Sequence, residues 1–340
     1  MDLIQCFCRR EDKFGKEKIS SEDVARLAKV SQSTVSRVFS PGKSVSENTR
    51  KRVMKVADEL NYKPNALARG LITNKSKLIG IAMKNKHNPF YHEALSLFTQ
   101  KLKTFGYSVL FVYTENEEIQ QEEINQFIEY NVESIIITDA VLSSELVKKL
   151  KRSNIPVILF NRYDETLNCN SVSSDNYFAG KSIAKYFFDK GYTNNLYVSG
   201  PSNTSTNRDR LYGFKEYFKE KGQDIDIIEG DFSFETAYQK ALSCFKKGKK
   251  PEGVFGANDI TALGILEAAK KMNFDIPKDM EIIGFDDIKM AAWPNNQLTT
   301  WSQPLDQMIN ETINILINGD FEKVEQIKLK GKLKIRNTTK

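Results

Sequence analysis

The chain has 340 residues, of which 40% are hydrophobic and 28% are charged, with a formal net charge of +6 and four cysteines. This composition excludes a wholly disordered chain and a disulfide scaffold, and the length is typical of two or three globular domains. Because no apolar run reaches the ~20 residues of a membrane-spanning helix, and because the N-terminal MDLIQCFCRR differs from a secretory signal, we expect a cytoplasmic protein.

Positive charge is concentrated near the N-terminus. Residues 1–77 contain 17 lysines and arginines against 9 acidic residues, a net charge of +8, so residues 78–340 together carry −2. A positive excess confined to the first quarter of the chain favours the binding of a polyanion by that segment.

Residues 18–62 carry three short amphipathic patterns that predict helices. In the first, SSEDVARLAKV, apolar residues recur at helical spacing between Val24 and Val30. The second pattern, QSTVSRVFS, ends at Pro41-Gly42, and the third runs from Glu47 to Asn61. Three short helices with a tight turn between the first two predict a helix-turn-helix domain.

Residues 63–77 are polar and basic and predict a linker, whereas an alternating pattern begins at Leu78. Apolar runs such as LIGIAM, SVLFVY, SIIIT and PVILF are separated by helical stretches, and the alternation continues to EIIGF at residues 281–285. Continuous β-branched runs between helices predict parallel sheets that are covered on both faces. So many alternations exceed one compact sheet, and we therefore expect two α/β subdomains.

Polar and aromatic residues follow the predicted strands. Ligands of such sheets bind outside the carboxyl ends of the strands, so the residues just past each run are candidates for a binding site. They combine carboxylates, amides, arginines and aromatic rings, a set that suits a polyhydroxylated ligand. In chain order they are Asn88, Pro89, Phe90, Tyr91, Asp139, Asn161, Arg162, Arg208, Asn258, Asp259, Asp286, Asp287 and Gln303.

The sequence contains no recognisable motif of catalysis. It has no Walker-type phosphate loop, G-x-G-x-x-G or G-x-S-x-G, and its two histidines, His87 and His92, stand near no obvious nucleophile. Asp259 could form an acid–base pair with Asp286 and Asp287 for glycoside chemistry, but no second feature supports that pairing. We therefore expect no enzyme activity, no cofactor and no metal site.

Several segments together resemble a known family. SSEDVARLAKVSQSTVSRVF and VSENTRKRVMKVADELNYKPNALARGL resemble the headpiece of the lactose-repressor and galactose-repressor family of bacterial transcription regulators. The likeness continues through LIGIAMKNKHNPFY, VSSDNYFAG, GPSNTSTNRDRLYGF, GANDITALG and IIGFDDI, and so covers residues 18–340. Residues 1–17 lie outside the family pattern. Lys29 stands at a turn position where a glycine is frequent, because the backbone there is left-handed.

The resemblance implies a fold with two parts: an N-terminal all-α helix-turn-helix headpiece and a two-lobed α/β core like that of periplasmic binding proteins. The headpiece is residues 18–62, a hinge follows at 63–77, and the core is 78–340. Within the core, the implied N-subdomain is about 78–174 plus 303–318, and the implied C-subdomain is about 175–302 plus 319–340. In this family the two lobes close on an effector.

The function that the resemblance implies is that of a repressor of carbohydrate-utilisation genes, which binds palindromic operator DNA and responds to a sugar or sugar-acid effector. A regulator with a purine effector is the alternative. A transport-type sugar-binding protein is a further one, but it would need a signal peptide and no headpiece. The C-terminal KLKIRNTTK carries no leucine heptad, so we expect a nucleoid-associated homodimer rather than a coiled-coil tetramer.

By the same resemblance, the second helix enters the major groove of DNA. Gln32 is expected to read adenine and Arg37 to read guanine, while Leu71 of the hinge wedges a base step in the minor groove. The full set of expected DNA contacts is Ser31, Gln32, Ser33, Thr34, Arg37, Asn48, Thr49, Arg50, Asn65, Arg69 and Leu71.

The resemblance also assigns residues to the effector site. Phe90 and Tyr91 are expected to stack on a ring of the effector, and Phe232 to cover the mouth of the cleft. Arg208 is expected to grip two effector oxygens at once. The remaining expected contacts, which bond hydroxyls, are Asn161, Arg162, Asn258, Asp286 and Gln303.

Overall fold

The computed structural model describes residues 19–39, 44–63, 75–84, 88–116 and 118–340. The expectations for residues 1–17, for His87 and for the hinge residues Asn65, Arg69 and Leu71 lie outside the described residues. The chain divides into two compact units, with the boundary between Ser76 and Lys77. Within the described ranges, no helix has the length and apolar character needed to cross a membrane.

The first unit is a three-helix domain. Its helices are α1 (Ser21–Leu27), α2 (Gln32–Val38) and α3 (Glu47–Glu59). A serine caps each of them, because the side chains of Ser20, Ser31 and Ser46 accept hydrogen bonds from backbone N–H groups of the first turn. The three predicted helices are confirmed, the third ending two residues earlier than expected. Their apolar faces form one small core of Val24, Ala25, Ala28, Val35, Val38, Val53 and Ala57.

The turn between α1 and α2 depends on Lys29. Its φ is +50°, in the left-handed region that a non-glycine residue enters at a cost of about 1–2 kcal/mol. The N–H of Val30 donates to the carbonyl oxygen of Ala25 at 3.0 Å and closes the turn. The expectation that Lys29 occupies a left-handed turn position is confirmed.

The second unit consists of two α/β lobes. Its strands are β1 (Leu78–Lys84), β2 (Ser108–Thr114), β3 (Ser134–Ile137), β4 (Val157–Phe160), β5 (Asn170–Ser174), β6 (Asn195–Ser199), β7 (Asp226–Glu229), β8 (Gly253–Gly256), β9 (Glu281–Asp286), β10 (Thr299–Ser302), β11 (Gln326–Leu329) and β12 (Lys332–Lys334). Its α-helices are α4 (Pro89–Thr104), α5 (Gln121–Glu129), α6 (Ser144–Arg152), α7 (Asn176–Asp189), α8 (Ser205–Glu220), α9 (Phe234–Lys246), α10 (Asp259–Lys271) and α11 (Leu305–Asn318). A 3₁₀ helix spans Lys289–Ala292.

Each lobe is built on one six-stranded sheet. The sheet of the first lobe has the order β11-β5-β4-β3-β1-β2 and is parallel throughout. The sheet of the second lobe has the order β12-β10-β9-β8-β6-β7, and only β12 is antiparallel to its neighbour. The chain passes between the lobes three times: after β5, after β10 and after β11. The prediction of two α/β subdomains with parallel sheets is confirmed.

The C-terminal segment departs from the expected division of the core. Residues 319–340 were expected in the second lobe, but β11 pairs in parallel with β5 of the first lobe. Only the segment from β12 onward joins the second sheet. The reason lies in Gly331, where a Cβ would lie 2.3 Å from the carbonyl oxygen of Ser302. This close backbone approach lets the alternating run QIKLKGKLK cross between the lobes and supply one edge strand to each.

Two glycines hold α7 and α8 in backbone contact. A Cβ on Gly180 of α7 would lie 2.2 Å from the carbonyl oxygen of Arg210, and a Cβ on Gly213 of α8 would lie 2.2 Å from that of Tyr177. Real Cβ atoms do not approach an oxygen so closely, so the absence of a side chain at both positions sets the distance between the helices. The carbonyl that Gly180 contacts belongs to a residue whose side chain enters the cleft described below.

We expect Gly180→Ala to force α7 and α8 apart and to lower the free energy of unfolding by about 1–3 kcal/mol, the usual cost of overpacking a tight contact. Denaturant unfolding followed by circular dichroism measures the change. Lys185→Ala is the matched control, because Lys185 is exposed on the same helix, where it forms an exposed ion pair with Asp189; its loss should leave the stability nearly unchanged. Equal stability of the two variants would contradict the backbone contact.

Candidate DNA-binding and effector sites

Helix α2 presents an exposed polar face. Gln32, Ser33 and Arg37 are all exposed on it, while Val35 and Val38 face the small core. The Nε2 of Gln32 donates to the Oγ of Ser21 on α1 at 2.8 Å, and this bond fixes the first residue of α2. The face therefore carries the two residue types, an amide and a guanidinium, that read bases in a major groove.

The hydroxyl groups at the start of α2 bond to one another. The Oγ of Ser31 accepts from the N–H of Thr34 at 3.2 Å. The same oxygen lies 2.8 Å from the Oγ of Ser33 and 2.9 Å from the Oγ1 of Thr34. Ser31 therefore caps helix α2. The phosphate contacts expected of Ser31 and Thr34 stay predictions, and they would be made by hydroxyl groups that already bond to one another.

At the start of α3, Arg50 has a structural role that the sequence did not indicate. Its Nη1 donates to the carbonyl oxygen of Val38 at 2.7 Å, and so a cation caps the C-terminal end of α2. This bond uses one of the five N–H donors of the guanidinium, and the phosphate contact expected of Arg50 stays a prediction. Asn48 is exposed beside it, and Thr49 is half-buried, held by the Oγ of Ser46, which donates to its Oγ1 at 2.8 Å.

In the second unit, a polar cleft lies between the two lobes at the carboxyl ends of the strands. Its cavity measures about 40 Å³, and one water needs about 10–15 Å³ of such space. A ligand of sugar size therefore requires the lobes to part. The cleft is lined by Asn88, Tyr91, Asp139, Asn161, Arg162, Thr204, Thr206, Arg210, Phe232, Asn258 and Asp286.

The wall from the first lobe contains buried polar atoms without partners. Asp139 accepts from the N–H of Lys84 at 2.6 Å and from the hydroxyl of Thr138 at 3.0 Å, both through Oδ1. Its Oδ2 is buried and, among the described residues, has no hydrogen-bond partner. The same holds for the Oδ1 of Asn161 and the Nε of Arg162. Burial raises the pKa of Asp139.

Tyr91 and Asn161 are linked across this wall. The Nδ2 of Asn161 donates to the hydroxyl of Tyr91 at 3.3 Å, and Asn161 has a left-handed backbone with φ +59°. Burial, together with the nearby carboxylate of Asp139, raises the pKa of Tyr91 to about 12. The phenol is therefore protonated at neutral pH and remains a donor toward the cleft.

The wall from the second lobe is built around Arg210. Its Nε donates to the Oδ1 of Asn176 at 2.8 Å, and its Nη1 donates to the carbonyl oxygen of Ala257 at 2.6 Å. The guanidinium lies 3.5 Å from the ring centroid of Phe285. Burial lowers the pKa of Arg210, and the carboxyl of Asp286 opposes that shift. These contacts fix the guanidinium at one place in the cleft.

Asp286 joins the two walls. Its Oδ2 accepts from the Nδ2 of Asn88, a first-lobe residue, at 3.0 Å. Its Oδ1 accepts from the Nε2 of Gln303, at the crossover after β10, at 2.7 Å. Asp286 is 6% exposed and has a strained backbone with φ +122°. The carboxylate at the end of β9 therefore connects both lobes and a crossover segment.

Asp259 is a second buried carboxyl near Asp286. It is fully buried, and its oxygens accept from the hydroxyl of Thr300 at 2.5 Å and from the N–H of Ile288 at 2.9 Å. Burial raises the pKa of both Asp259 and Asp286, and their mutual repulsion raises that of Asp259 further, while Arg210 opposes the rise at Asp286. The pair therefore retains a proton, which we place on Asp259.

Asp287, the third acid of this group, is engaged by the protein. It accepts from Arg336 at 2.6 Å, from Lys334 at 2.5 Å and from Ser302 at 2.9 Å. Burial raises the pKa of Asp287, but these hydrogen bonds outweigh it and lower the pKa overall. Neither Asp287 nor Asp259 lines the cleft, and Asp287 lies with Asp286 in the wall of a neighbouring cavity of about 570 Å³. Within the described residues, no group of three or more His, Cys, Asp or Glu side chains could hold a metal ion.

Phe232 lies at the side of the cleft in a strained loop. Asp231 and Phe232 both have left-handed backbones, with φ +54° and +52°. The ring of Phe232 lies against Gly200, where a Cβ would be 2.3 Å from it. Only glycine at position 200 leaves room for this ring, so the expected position of Phe232 at the cleft agrees with the structure. Asn258 also lines the cleft, and its Oδ1 caps α10 by accepting from the N–H of Thr261.

Three of the expected effector residues do not line this cleft. Arg208 has a side chain that is 55% exposed, because residues 208 and 210 lie about 200° apart around α8; Arg210 occupies the place expected for Arg208. Phe90 is 3% exposed and packs in the core, next to Tyr91 with 5.3 Å between ring centroids. Gln303 bonds to Asp286 and lines a separate cavity of about 570 Å³.

The effector set predicted from the resemblance omitted several residues that line the cleft. Asn88 and Asp139 were already among the candidates predicted from the strand ends. Arg210 had a signal too: the buried positions of α8 recur at 207, 210, 214 and 218, a helical face that includes 210 and excludes 208. Thr204 and Thr206 had none, because they lie at a helix start that periodicity does not distinguish from the loop before it.

Comparison with known proteins gives matches over both units. Residues 22–65 match the model of bacterial regulatory proteins of the lacI family, and residues 79–293 match that of a periplasmic binding protein domain. The chain is 31% identical to the HTH-type transcriptional repressor PurR of Vibrio parahaemolyticus (94% of this chain, 98% of the relative). It is 30% identical to the ribose operon repressor of Halalkalibacterium halodurans (94% and 96%). The fold matches the lac repressor dimer bound to operator and the anti-inducer ONPF with a TM-score of 0.85, at 24% identity over 95% of this chain and 99% of that one.

The proton on Asp259 predicts a pH-dependent effect of Asp259→Asn. A carboxyl whose pKa is raised on folding contributes stability at low pH, and this contribution is lost as the pH rises through the raised value. In Asp259→Asn the amide oxygen accepts from the N–H of Ile288 and the amide NH2 donates to the hydroxyl oxygen of Thr300, so the second bond is kept with its direction reversed. Because the amide does not ionise, Asp259→Asn should gain stability relative to the parent as the pH rises from 5 to 8. Thermal unfolding at several pH values measures this. A difference between variant and parent that does not change with pH would contradict the assignment.

Proposed function

The chain belongs to the lacI family of bacterial regulatory proteins, and we propose that it is a dimeric transcriptional repressor whose operator affinity is set by a hydroxylated small molecule bound between the lobes. The observation that carries this proposal is the cleft with its buried, unpartnered polar atoms, in a chain that also holds a three-helix unit with an exposed polar recognition face. Its function is regulation rather than catalysis.

For DNA recognition, α2 is the element that enters the major groove. Gln32 and Arg37 suit the edges of adenine and guanine, and Ser33 lies on the same exposed face. Ser31, Thr34, Asn48 and Thr49 surround that face at helix starts, where phosphates bind. Asn65, Arg69 and Leu71 complete the contacts through the hinge. Arg50, also a predicted phosphate contact, positions α2 through its bond to Val38.

The composition of the cleft favours a polyol. The first-lobe wall offers two unpartnered acceptors, on Asp139 and Asn161, and one unpartnered donor, on Arg162. A hydroxyl both donates and accepts, so neighbouring hydroxyls satisfy such a set. The relatives include both a repressor named PurR and a ribose operon repressor, and the unpartnered polar atoms of the cleft support a hydroxylated ligand.

A homodimer suits a palindromic operator, because a two-fold axis places two recognition helices on two half-sites. The edge strands of both sheets carry exposed apolar side chains that a partner would cover. Tyr113 on β2 is 46% exposed and Ile227 on β7 is 42% exposed. Long exposed edges with apolar residues are normally protected in a monomer, and this supports pairing through the β2 and β7 edges.

Arg37→Ala should fold normally and lose discrimination between operator and random DNA by about 1–3 kcal/mol for each half-site. The probe is a duplex selected from random DNA by the unmodified protein, and fluorescence anisotropy on this duplex and on a scrambled one measures the ratio. Lys55→Ala is the control, because Lys55 is exposed on α3 away from the recognition face. An unchanged ratio in Arg37→Ala would overturn base reading by this residue.

Arg210→Ala should weaken effector binding by about tenfold or more, because a bond to a charged group contributes about 1.5–3 kcal/mol. Calorimetric titration of the full chain uses pentoses, hexoses, sugar acids and purine bases as separate probes. We expect a neutral sugar to bind, and Lys215→Ala, an exposed change on the same helix, to leave its affinity intact. Binding of a purine alone, or full affinity in Arg210→Ala, would overturn the sugar assignment.

A further inference from the structure

Tyr163 connects the lobes outside the ligand cleft. It belongs to the first lobe and directly follows Asn161 and Arg162 at the end of β4. Its backbone N–H donates to the Oγ of Ser205, at the start of α8 in the second lobe, at 3.1 Å. Its hydroxyl donates to the Oδ2 of Asp209, one turn further along α8, at 2.7 Å. One residue thus contacts the first two turns of the opposite helix.

Arg208 completes a closed ring of hydrogen bonds. Its Nη2 donates to the hydroxyl oxygen of Tyr163 at 2.8 Å, and its Nε donates to the Oδ1 of Asp209 at 3.1 Å. From the first lobe, the ammonium of Lys328 on β11 lies 4.2 Å from the centroid of the Tyr163 ring. Two strands of the first lobe therefore hold a single tyrosine against α8. Arg208 does not line the effector cleft, and its bonds to Tyr163 and Asp209 give this exposed side chain a separate role.

The hydrogen bonds among Tyr163, Arg208 and Asp209 suit a contact that can open and close. Burial and the carboxylate of Asp209 raise the pKa of Tyr163 above its ordinary value, so the hydroxyl remains a donor at neutral pH. The Arg208 side chain is 55% exposed and Asp209 is 13% exposed. Partial exposure screens the charges and keeps the bonds modest. The contact can therefore open and close with the lobes and need not lock them.

The contact among Tyr163, Arg208 and Asp209 lies outside the ligand cleft. The Asn88–Asp286 bond also joins the lobes, but it lies inside the cleft, where a bound ligand competes for the same atoms. Tyr163, Arg208 and Asp209 do not line the cleft, whereas Arg162, which precedes Tyr163, and Arg210, which follows Asp209, do line it. This contact between the lobes therefore uses no side chain that lines the ligand cleft.

We propose that Tyr163, Arg208 and Asp209 form a latch that favours the closed lobes and so opposes the parting of the lobes that a ligand of sugar size requires. The second half rests on the proposed function, because it requires the ligand to bind in the cleft. The apparent affinity of a ligand scales with the fraction of protein in the competent state. A latch that raises the closed fraction thus adjusts sensitivity to the effector without contacting it.

Tyr163→Phe tests the latch with the smallest change. It removes the hydroxyl and retains the ring beside Lys328 and the backbone bond to Ser205. We expect faster amide hydrogen exchange in ligand-free protein over residues 161–163 and 204–209. We also expect an apparent affinity for the sugar about three- to tenfold higher, because the variant loses the two modest hydrogen bonds of the hydroxyl and the lobes part more readily. Tyr212→Phe is the matched control: its hydroxyl bonds Glu216 on the same helix, outside the latch. The double variant Arg208→Ala/Tyr163→Phe should show hydrogen exchange no faster than that of whichever single variant exchanges faster.

The outcomes separate the latch from the proposed function. Faster exchange in Tyr163→Phe, with the control unchanged, supports the latch even when no sugar in the panel binds; in that case the sugar assignment fails alone. Exchange in Tyr163→Phe that equals that of the parent overturns the latch. The same increase in Tyr212→Phe also overturns it, because it would show a general loosening of α8. Fully additive effects in the double variant would show that the two residues do not act together.

Discussion

A buried carboxylate at the junction of two lobes is the constraint on which the second unit depends. Asp286 is nearly excluded from solvent, and an ionised carboxyl in such a place is tolerated only when it is paired and hydrogen-bonded. Its partners are distributed: Asn88 comes from the first lobe, Gln303 from a crossover, and Arg210 from α8 of the second lobe supplies the nearby positive charge. Because Asn88 belongs to the opposite lobe, the hydrogen bonds of Asp286 are complete only when the cleft is closed.

The surrounding residues follow from that constraint. One arginine cannot neutralise two acids, so Asp259 retains a proton and is bonded entirely by protein groups. The strained backbone at Asp286 is held by the same bonds. A ligand that enters the cleft competes with Asn88 and must supply a donor in its place. Hydroxyl groups do so while also accepting from arginine, and in this way the constraint supports a polyol as effector.

The sequence predicted the helices and strands more completely than the contacts between residues that are distant in the chain. Apolar spacing indicated the three helices, and continuous β-branched runs indicated two parallel sheets, because these patterns act over neighbouring residues. Strand ends indicated Asn88, Asp139 and Asp286, since the topology of parallel sheets brings those ends together. The choice between Arg208 and Arg210 depended on which face of α8 is buried. The role of Arg50 depended on a carbonyl twelve residues away, and the position of β11 on a backbone contact at Gly331, neither of which a local pattern reports.

The link between the cleft and operator binding is tested most directly by measuring it in both directions. Operator affinity is measured with and without saturating effector, and effector affinity with and without saturating operator, on the same full-length protein. If closure of the cleft and DNA binding share one equilibrium, the two affinities change by the same factor, about 5- to 150-fold for a typical coupling. Because linkage makes the two factors equal at equilibrium, their agreement verifies the measurements, whereas an operator affinity that the effector leaves unchanged would contradict control of the DNA-binding unit by the cleft.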